Sequence, residues 1–231
     1  MKIVIISGAG LSQESGIPTF RDSDGLWHGH DVDEVANFLT WEKNYHTVHA
    51  FYNERRKDVL ASQPNAAHVF YAGLEKSHNV VHLTQNVDDL LERAGGTPVH
   101  LHGDIRGLIC LSCGHEWETD QDYVPGVDFC PGCGKDRKVK PRVVFFNQMA
   151  PQYIRMTDEL ASLTEKDLVI VVGTSGQVLN INSLLYGCPA RKILNNAEES
   201  PYIHGEEFNH VIYKRATNAI RDIDAIIRSL T

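Results

Sequence analysis

Six short apolar runs punctuate the chain, at residues 3–6, 80–83, 143–146, 168–172, 192–194 and 211–213. They are rich in β-branched residues, and several are continuous rather than alternating, the pattern of strands covered on both faces. Helical spacing lies between them. Pro151 suits a first helical position, with Ile154, Leu160 and Leu163 following on one face. After the last run, Thr217 is placed to cap a helix that buries Ile220, Ile223, Ile226, Ile227 and Leu230 on one stripe. Strand alternating with helix predicts an α/β fold built on a parallel sheet.

Two stretches break that rhythm. Residues 28–77 read as helices with no strand between them, and residues 104–140 are rich in Cys, Gly, Pro and Asp. The expected organisation is a nucleotide-binding sheet domain from residues 1–27, 78–103 and 141–231. A helical module (28–77) and a metal module (104–140) then form a smaller inserted domain, and ligand sites favour the cleft between two such lobes. No internal repeat or low-complexity tract interrupts this plan.

Composition narrows the function. At 231 residues with 42% hydrophobic and 23% charged content, the chain suits a globular protein. Its net charge of −8 argues against nucleic acid and anionic membrane as partners. No apolar run is long enough to span a bilayer, and the opening run fits a buried strand better than a signal peptide. The expected location is cytoplasmic.

Four of the five cysteines fall in two C-x-x-C pairs, Cys110/Cys113 and Cys130/Cys133, separated by residues 114–129. In a reducing compartment this spacing predicts a four-thiolate zinc site. Gly114 and Gly134 follow each pair, as tight metal-binding knuckles require. Four sulfur ligands leave no open position, so the zinc is expected to be structural. Cys188 reads as a small buried hydrophobe.

Gly8-Ala9-Gly10 follows the first strand, where a phosphate-binding turn at a helix N-terminus belongs. Two glycines alone fit a plain tight turn equally well, and Gln13 stands where the usual fingerprint has a third. The longer string Gly8-Ala9-Gly10-Leu11-Ser12-Gln13-Glu14-Ser15-Gly16-Ile17-Pro18-Thr19-Phe20-Arg21-Asp22, continued by Gly25-Leu26-Trp27, closely resembles the cofactor-binding signature of the sirtuins. Four further segments resemble the same family in order: Thr84-Gln85-Asn86-Val87-Asp88, His100-Leu101-His102-Gly103, the cysteine pairs, and Gly173-Thr174-Ser175. Leu194-Asn195-Asn196-Ala197 resembles the segment that meets the adenosine ribose, and Ala216 falls where a small residue lies against adenine. The resemblance runs from Ile3 to about Ala216.

Sirtuins remove acyl groups from protein lysines by consuming NAD, with release of nicotinamide and O-acyl-ADP-ribose. The resemblance implies a Rossmann-like domain, a zinc-bearing small domain, and NAD between them. It implies His102 as general base on a ribose hydroxyl, since the family's histidine precedes a glycine. Asn86 would position water and ribose, Asp88 the nicotinamide carboxamide, and Gln85 a ribose. Phe20 and Arg21 would cover the cofactor. Gly8, Ala9, Gly10, Ser12, Ile17, Trp27, Val87, Gly173, Thr174, Ser175, Asn195, Asn196, Ala197 and Ala216 complete the implied NAD site.

Tyr52 and Arg55, three apart on a predicted helix, share a face. Their placement resembles the Tyr-x-x-Arg of sirtuins that remove succinyl and malonyl groups, in which this pair holds the acyl carboxylate. The expected activity is therefore deacylation of succinyl-, malonyl- and acetyl-lysine. NAD hydrolysis or ADP-ribosyl transfer on the same fold is the competing expectation. Three positions depart from the family pattern. Phe146-Asn147-Gln148 stands for Phe-Gly-Glu, Asn180 for a proline, and Lys214-Arg215 for Gly-x, which puts peptide and adenine contacts in question.

Overall fold

The first apolar run becomes β1 (Lys2–Ser7), all but wholly buried, and it is the centre of the larger sheet. The computed structural model describes residues 1–18 and 29–230. β2 (Asn79–Thr84) and β7 (Leu168–Val172) flank β1 in parallel register, with Ile5 opposite His82 on one side and Ile170 on the other. β3 (Val99–His100), β8 (Arg191–Asn196) and β9 (His210–Tyr213) extend it to six parallel strands in the order β3-β2-β1-β7-β8-β9. The chain order reverses between β1 and β7, and ligands of open α/β sheets sit beyond the strand ends at such a reversal.

A second sheet is antiparallel: β4 (Gly103–Cys110) lies between β5 (Glu116–Glu118) and β6 (Val139–Val143). The run at 143–146 is thus no strand of the large sheet. Only Val143 is in a strand, that of the small sheet, and Phe146 makes an isolated bridge with Asn37. The strands of residues 103–118 escape a pattern search because glycine and charged residues interrupt them, as in Gly-Asp-Ile-Arg-Gly-Leu-Ile-Cys.

The inserted helices are α1 (Val32–Val35), α2 (Tyr45–Ala61) and α3 (Ala66–Leu74). Trp41, Tyr45, Val48, Phe51 and Val59 share one apolar cluster with Ile105, Leu108 and Val139 of the small sheet. α3 behaves differently from the rest of its predicted module. Its Ala67, Tyr71 and Leu74 pack with Ile3, Ile5 and Ile170 in the core of the large sheet.

α4 (Leu90–Arg93) ends at Gly95, whose φ of 92° is left-handed. α5 (Gln152–Ala161) follows Pro151 as expected, and Leu160 and Leu163 turn inward as expected, but Ile154 does not. Ile154 is 69% exposed, whereas Met156, Leu160 and Leu163 are buried. α6 (Ile181–Leu185) is capped by Asn180, whose side chain accepts from the Ser183 N–H at 2.9 Å. α7 (Ala216–Leu230) buries Ile223 and Ile227, with Ile220, Ile226 and Leu230 packed alongside. Thr217 is inside its first turn rather than at the cap, and donates its N–H and hydroxyl to Glu14. Among the described residues, no helix is long and apolar enough to cross a membrane.

Candidate functional site

The loops leaving β1 and β7 press together at the chain reversal. Gly8 donates its N–H to the Val172 carbonyl at 3.0 Å, and Gly10 to the Gly173 carbonyl at 2.8 Å. A Cβ on Gly10 would stand 2.8 Å from the Gly173 Cα. On Gly173, at φ 63°, it would stand 2.5 Å from the Leu11 nitrogen. Contact between the two loops therefore dictates these glycines. Beyond Gly8 the expected α-helix is replaced by two 3-10 turns, Ala9–Leu11 and Gln13–Ser15, ended by Gly16 at φ 88°.

The loop contact floors a recess lined by Gly10, Glu14, Gly173, Asn195, Asn196 and Ala216, with Ala197, Lys214 and Arg215 at its edge. Asn196 is committed inside the protein: its side chain accepts from the Thr174 N–H (3.1 Å) and donates to the Thr174 carbonyl (2.9 Å). Asn195 donates to the carbonyls of Ile212 and Lys214, and its Oδ1 is buried with no donor among the described residues. A buried acceptor without a partner is costly. The sequence reading gives no site role to Glu14, although it lies inside the cofactor signature, and treats Lys214 and Arg215 only as departures near adenine; the fold brings all three to the recess.

A buried polar network continues beneath the end of β2. Ser12 Oγ donates to Asp88 Oδ2 (2.8 Å) and accepts from Asn86 Nδ2 (3.0 Å). His68 Nε2 is 3.3 Å from the same hydroxyl, and its Nδ1 accepts from the Asn65 N–H. The Nε2–H tautomer is thereby fixed, so His68 donates to Ser12. Burial pushes His68 down to about 4, so the ring is neutral at pH 7. Burial raises Asp88 above the ordinary carboxyl value, against the lowering effect of its bond from Ser12. Gln85 Nε2 reaches Thr174 Oγ1 at 3.1 Å, which ties this network to the β7 loop.

Two histidines two residues apart have opposite chemistry. His100 Nδ1 faces the Asn86 carbonyl at 2.8 Å and its Nε2 faces Glu92 Oε1 at 2.6 Å. With an acceptor at each nitrogen the ring holds both protons. Burial works against that charge, but the bond and charge of Glu92 outweigh it and raise the pKa. His102 Nδ1 faces the Gln85 carbonyl at 3.1 Å, so it carries the proton. Its Nε2 keeps a lone pair, which accepts from the Tyr153 hydroxyl at 2.8 Å. Burial lowers the His102 pKa, more than the Gln85 carbonyl raises it. The ring is a neutral base at physiological pH.

Gly103 stands beside His102 for a steric reason: at φ 75°, a Cβ there would fall 1.9 Å from the Arg142 carbonyl oxygen. The Val144 N–H bonds the His102 carbonyl at 2.8 Å, and the neighbouring Phe145 stacks on Tyr52 with ring centroids 5.5 Å apart. Tyr52 is thus two contacts from the base. Arg55 is 4% exposed and pairs with Glu54 (2.9 Å) and Asp58 (3.2 Å). Those carboxylates are themselves exposed, at 63% and 48%. Ile17 and Val87 pack against the apolar cluster of the small sheet, while Ala9 and Ser175 hold their loops through backbone oxygens. Phe20, Arg21 and Trp27 lie outside the described residues.

At the far end of β4 the four predicted thiols converge, with all sulfurs within 4.8 Å of one another. Cys110–Cys133 and Cys113–Cys130 are 3.6 and 3.7 Å apart. A zinc tetrahedron with Zn–S of about 2.3 Å has sulfur edges of about 3.8 Å, whereas a disulfide would need about 2.05 Å. Each knuckle closes the same way, Gly114 N–H onto the Cys110 carbonyl (2.8 Å) and Gly134 N–H onto that of Cys130 (2.9 Å). Both glycines have left-handed φ, 74° and 70°. Cys188, half-buried, packs against the large-sheet core.

The fold and site together define a dinucleotide-type parallel α/β protein carrying a four-thiolate metal ribbon. The Sir2 family model matches residues 8–180, and the chain belongs to that family. An NAD-dependent protein deacylase of Helicobacter hepaticus is 42% identical over 246 residues, spanning 96% of each chain. One of Pasteurella multocida is 38% identical over 232 residues and 95% of each. The crystal structure of a Sir2 homologue complexed with NAD superposes with a TM-score of 0.86 at 33% identity, covering 100% of this chain and 91% of the other.

Proposed function

We propose that this chain is an NAD-dependent protein lysine deacylase in which His102 is the general base. The observation that carries this reading is a neutral imidazole with its lone pair held at Nε2, beside the strand ends where the sheet order reverses. The recess suits part of a dinucleotide: its glycine floor admits close approach, and Asn195, Asn196 and Ala216 line it. NAD would supply a glycosidic bond whose cleavage makes the ribose carbon an electrophile. In the protein, Gly10, Gly173, Asn195, Ala197 and Ala216 would hold the adenosine half. Asn86, Asp88 and Gln85 would position the nicotinamide half, and His102 Nε2 would take a ribose hydroxyl proton. The sheet-forming segments serve in this reading as the cofactor domain, and the small sheet with α2 as the substrate-shaping one.

For the acyl group we propose succinyl and malonyl lysine, together with acetyl lysine. Arg55 lies over the Phe51 ring, 5.3 Å from its centroid, and pairs with surface carboxylates, which a bidentate acyl carboxylate can displace at small cost. Asn147 supports an intact peptide-binding loop: at φ 62° it adopts the left-handed conformation for which the family uses glycine, and Asn tolerates it best among side-chained residues. This favours deacylation over hydrolysis of NAD alone. The test is incubation with NAD and acetyl, malonyl and succinyl peptides, with products identified by mass. Nicotinamide release that needs acyl peptide and vanishes in His102→Ala supports the reading; release without peptide refutes it. Arg55→Met should cut succinyl turnover at least tenfold while sparing acetyl turnover.

A further inference from the structure

The inward side of α5 and of the turn that follows it carries Tyr153, Met156, Leu160 and Leu163, spaced by three, four and three residues. Three of them are core. The fourth, in the first turn, directs its hydroxyl out of the apolar cluster and onto His102 Nε2 at 2.8 Å, with ring centroids 5.9 Å apart. The Tyr153 carbonyl is in turn held by Thr157 Oγ1 at 2.9 Å, so the residue is fixed at both ends. Because His102 Nδ1–H is committed to the Gln85 carbonyl, the tyrosine is the donor in this contact, and it donates to the lone pair on which base chemistry depends.

We propose that Tyr153 is a positioning residue that caps the base: it holds the His102 ring through Nε2 and sets the pH at which Nε2 becomes available. This inference rests on His102 being the base. A hydrogen bond donated to the lone pair exists only in the neutral ring, so it stabilises that form and lowers the pKa. Protonation of Nε2 sacrifices it. The same geometry means that a ribose hydroxyl must displace the phenol before it can reach Nε2, since one lone pair accepts one strong bond. Tyr153 therefore trades places with the substrate.

No other titratable side chain among the described residues contends for the nitrogen. His100 on β3 is taken by Glu92 of α4, Asp104 on β4 by Arg142 of β6, and Asp88 by Ser12. Burial and the Gln85 carbonyl act on the ring in both wild type and variant. A change on deleting the hydroxyl is then assignable to the hydroxyl.

The test is Tyr153→Phe in the full chain, read in two ways. The first is the His102 ring pKa by nitrogen-detected NMR in the free protein, assigned with His102→Ala. The second is the acidic limb of kcat/KM for NAD at saturating acyl peptide. Loss of one neutral hydrogen bond, worth about 1 ± 0.5 kcal/mol, should raise the ring pKa by roughly 0.4–1 unit. The kinetic limb should move upward equally, with no fall in kcat/KM on the alkaline plateau. An unmoved ring pKa overturns the cap. A ring that shifts while the kinetic limb stays overturns the catalytic role and, separately, the assignment of His102 as base. Tyr153→Leu, which also removes the ring, should give the same pKa shift; if only that variant shifts, packing rather than the hydroxyl is responsible.

Discussion

The two sheets of this protein are held together by opposite means. Every residue of β7 is buried, β1 is buried from Ile3 onward, and apolar side chains cover both faces, with Ser7 at the end of β1 bonded to Thr84 and His82 as the polar exception. The small sheet has three strands and an interior that includes Arg56 and Lys140, each about 1% exposed, alongside His49. Arg56 donates from Nε to the Ile105 carbonyl and from Nη1 to the Gln121 carbonyl and Asn53, and Lys140 donates to the carbonyls of Pro141 and Val143. Its last strut is the thiolate cage. Apolar burial dominates the first sheet, whereas the second adds a four-thiolate cage and buried basic side chains to its apolar cluster.

Metal removal is the strongest way to break this comparison. Structural zinc binding is worth about 10–16 kcal/mol in small thiolate modules, so Cys130→Ser or chelation should melt the small sheet. Hydrogen exchange should then rise across residues 103–143 and in α2, while β1, β2, β7 and β8 stay protected. If both sheets lose protection together, the two are one cooperative unit and the contrast fails.

The buried lysine gives the next largest effect. Burial pushes Lys140 from its ordinary 10.5 down to about 7. The unfolded chain keeps that proton up to about 10.4, so between the two values the unfolded state binds more protons. Stability should therefore rise with pH from about 7 to 10.4, by several kcal/mol in the ideal case, and Lys140's share should be flat and lowest below pH 7. Lys140→Met should flatten this slope in urea melts taken across the window. A variant that retains the full wild-type slope would place the dependence elsewhere.

On the large sheet the corresponding weak point is steric. Gly173→Ala meets both a left-handed φ and backbone at 2.5 Å, whereas Gly16→Ala meets a left-handed φ in open space. The first should cost about 3 kcal/mol or more, and the second about 1–2 kcal/mol. Chemical denaturation of the two variants separates conformational strain from loop contact.

The same contrast governs what is legible in the sequence. Parallel strands buried on both faces write continuous apolar runs, so five of the six predicted runs fall in the large sheet. The small sheet cannot be read that way. Val-Lys-Pro-Arg-Val and Glu-Trp-Glu are short and alternate apolar with charged residues, so they write no continuous apolar run. The cysteine pairs announce it instead. In the site, His102 and Gly103 are legible by resemblance, and the physical reason for Gly103 comes from the Arg142 carbonyl. Tyr153 escapes the sequence reading, which turns Ile154 inward; spacing from Leu163 back through Leu160 and Met156 leads to Tyr153.

The segment that joins the two regions sharpens the comparison with the smallest expected effect. Phe146 bridges to the chain around Asn37: the Phe146 N–H bonds the Ala36 carbonyl at 2.8 Å and the Phe38 N–H bonds the Phe146 carbonyl at 2.9 Å. Asn147 comes next at φ 62° and donates from Nδ2 to Asn37 Oδ1 at 3.1 Å. Asn147→Gly relieves a left-handed penalty of about 1 kcal/mol or less for asparagine, and it loses one hydrogen bond of similar worth. The two nearly cancel, so stability should change by less than about 1 kcal/mol, and the KM for acyl peptide by less than about threefold. A large loss would mean that the Asn37 bond, and not backbone conformation, sets the loop, which would make this junction a side-chain latch between the lobes.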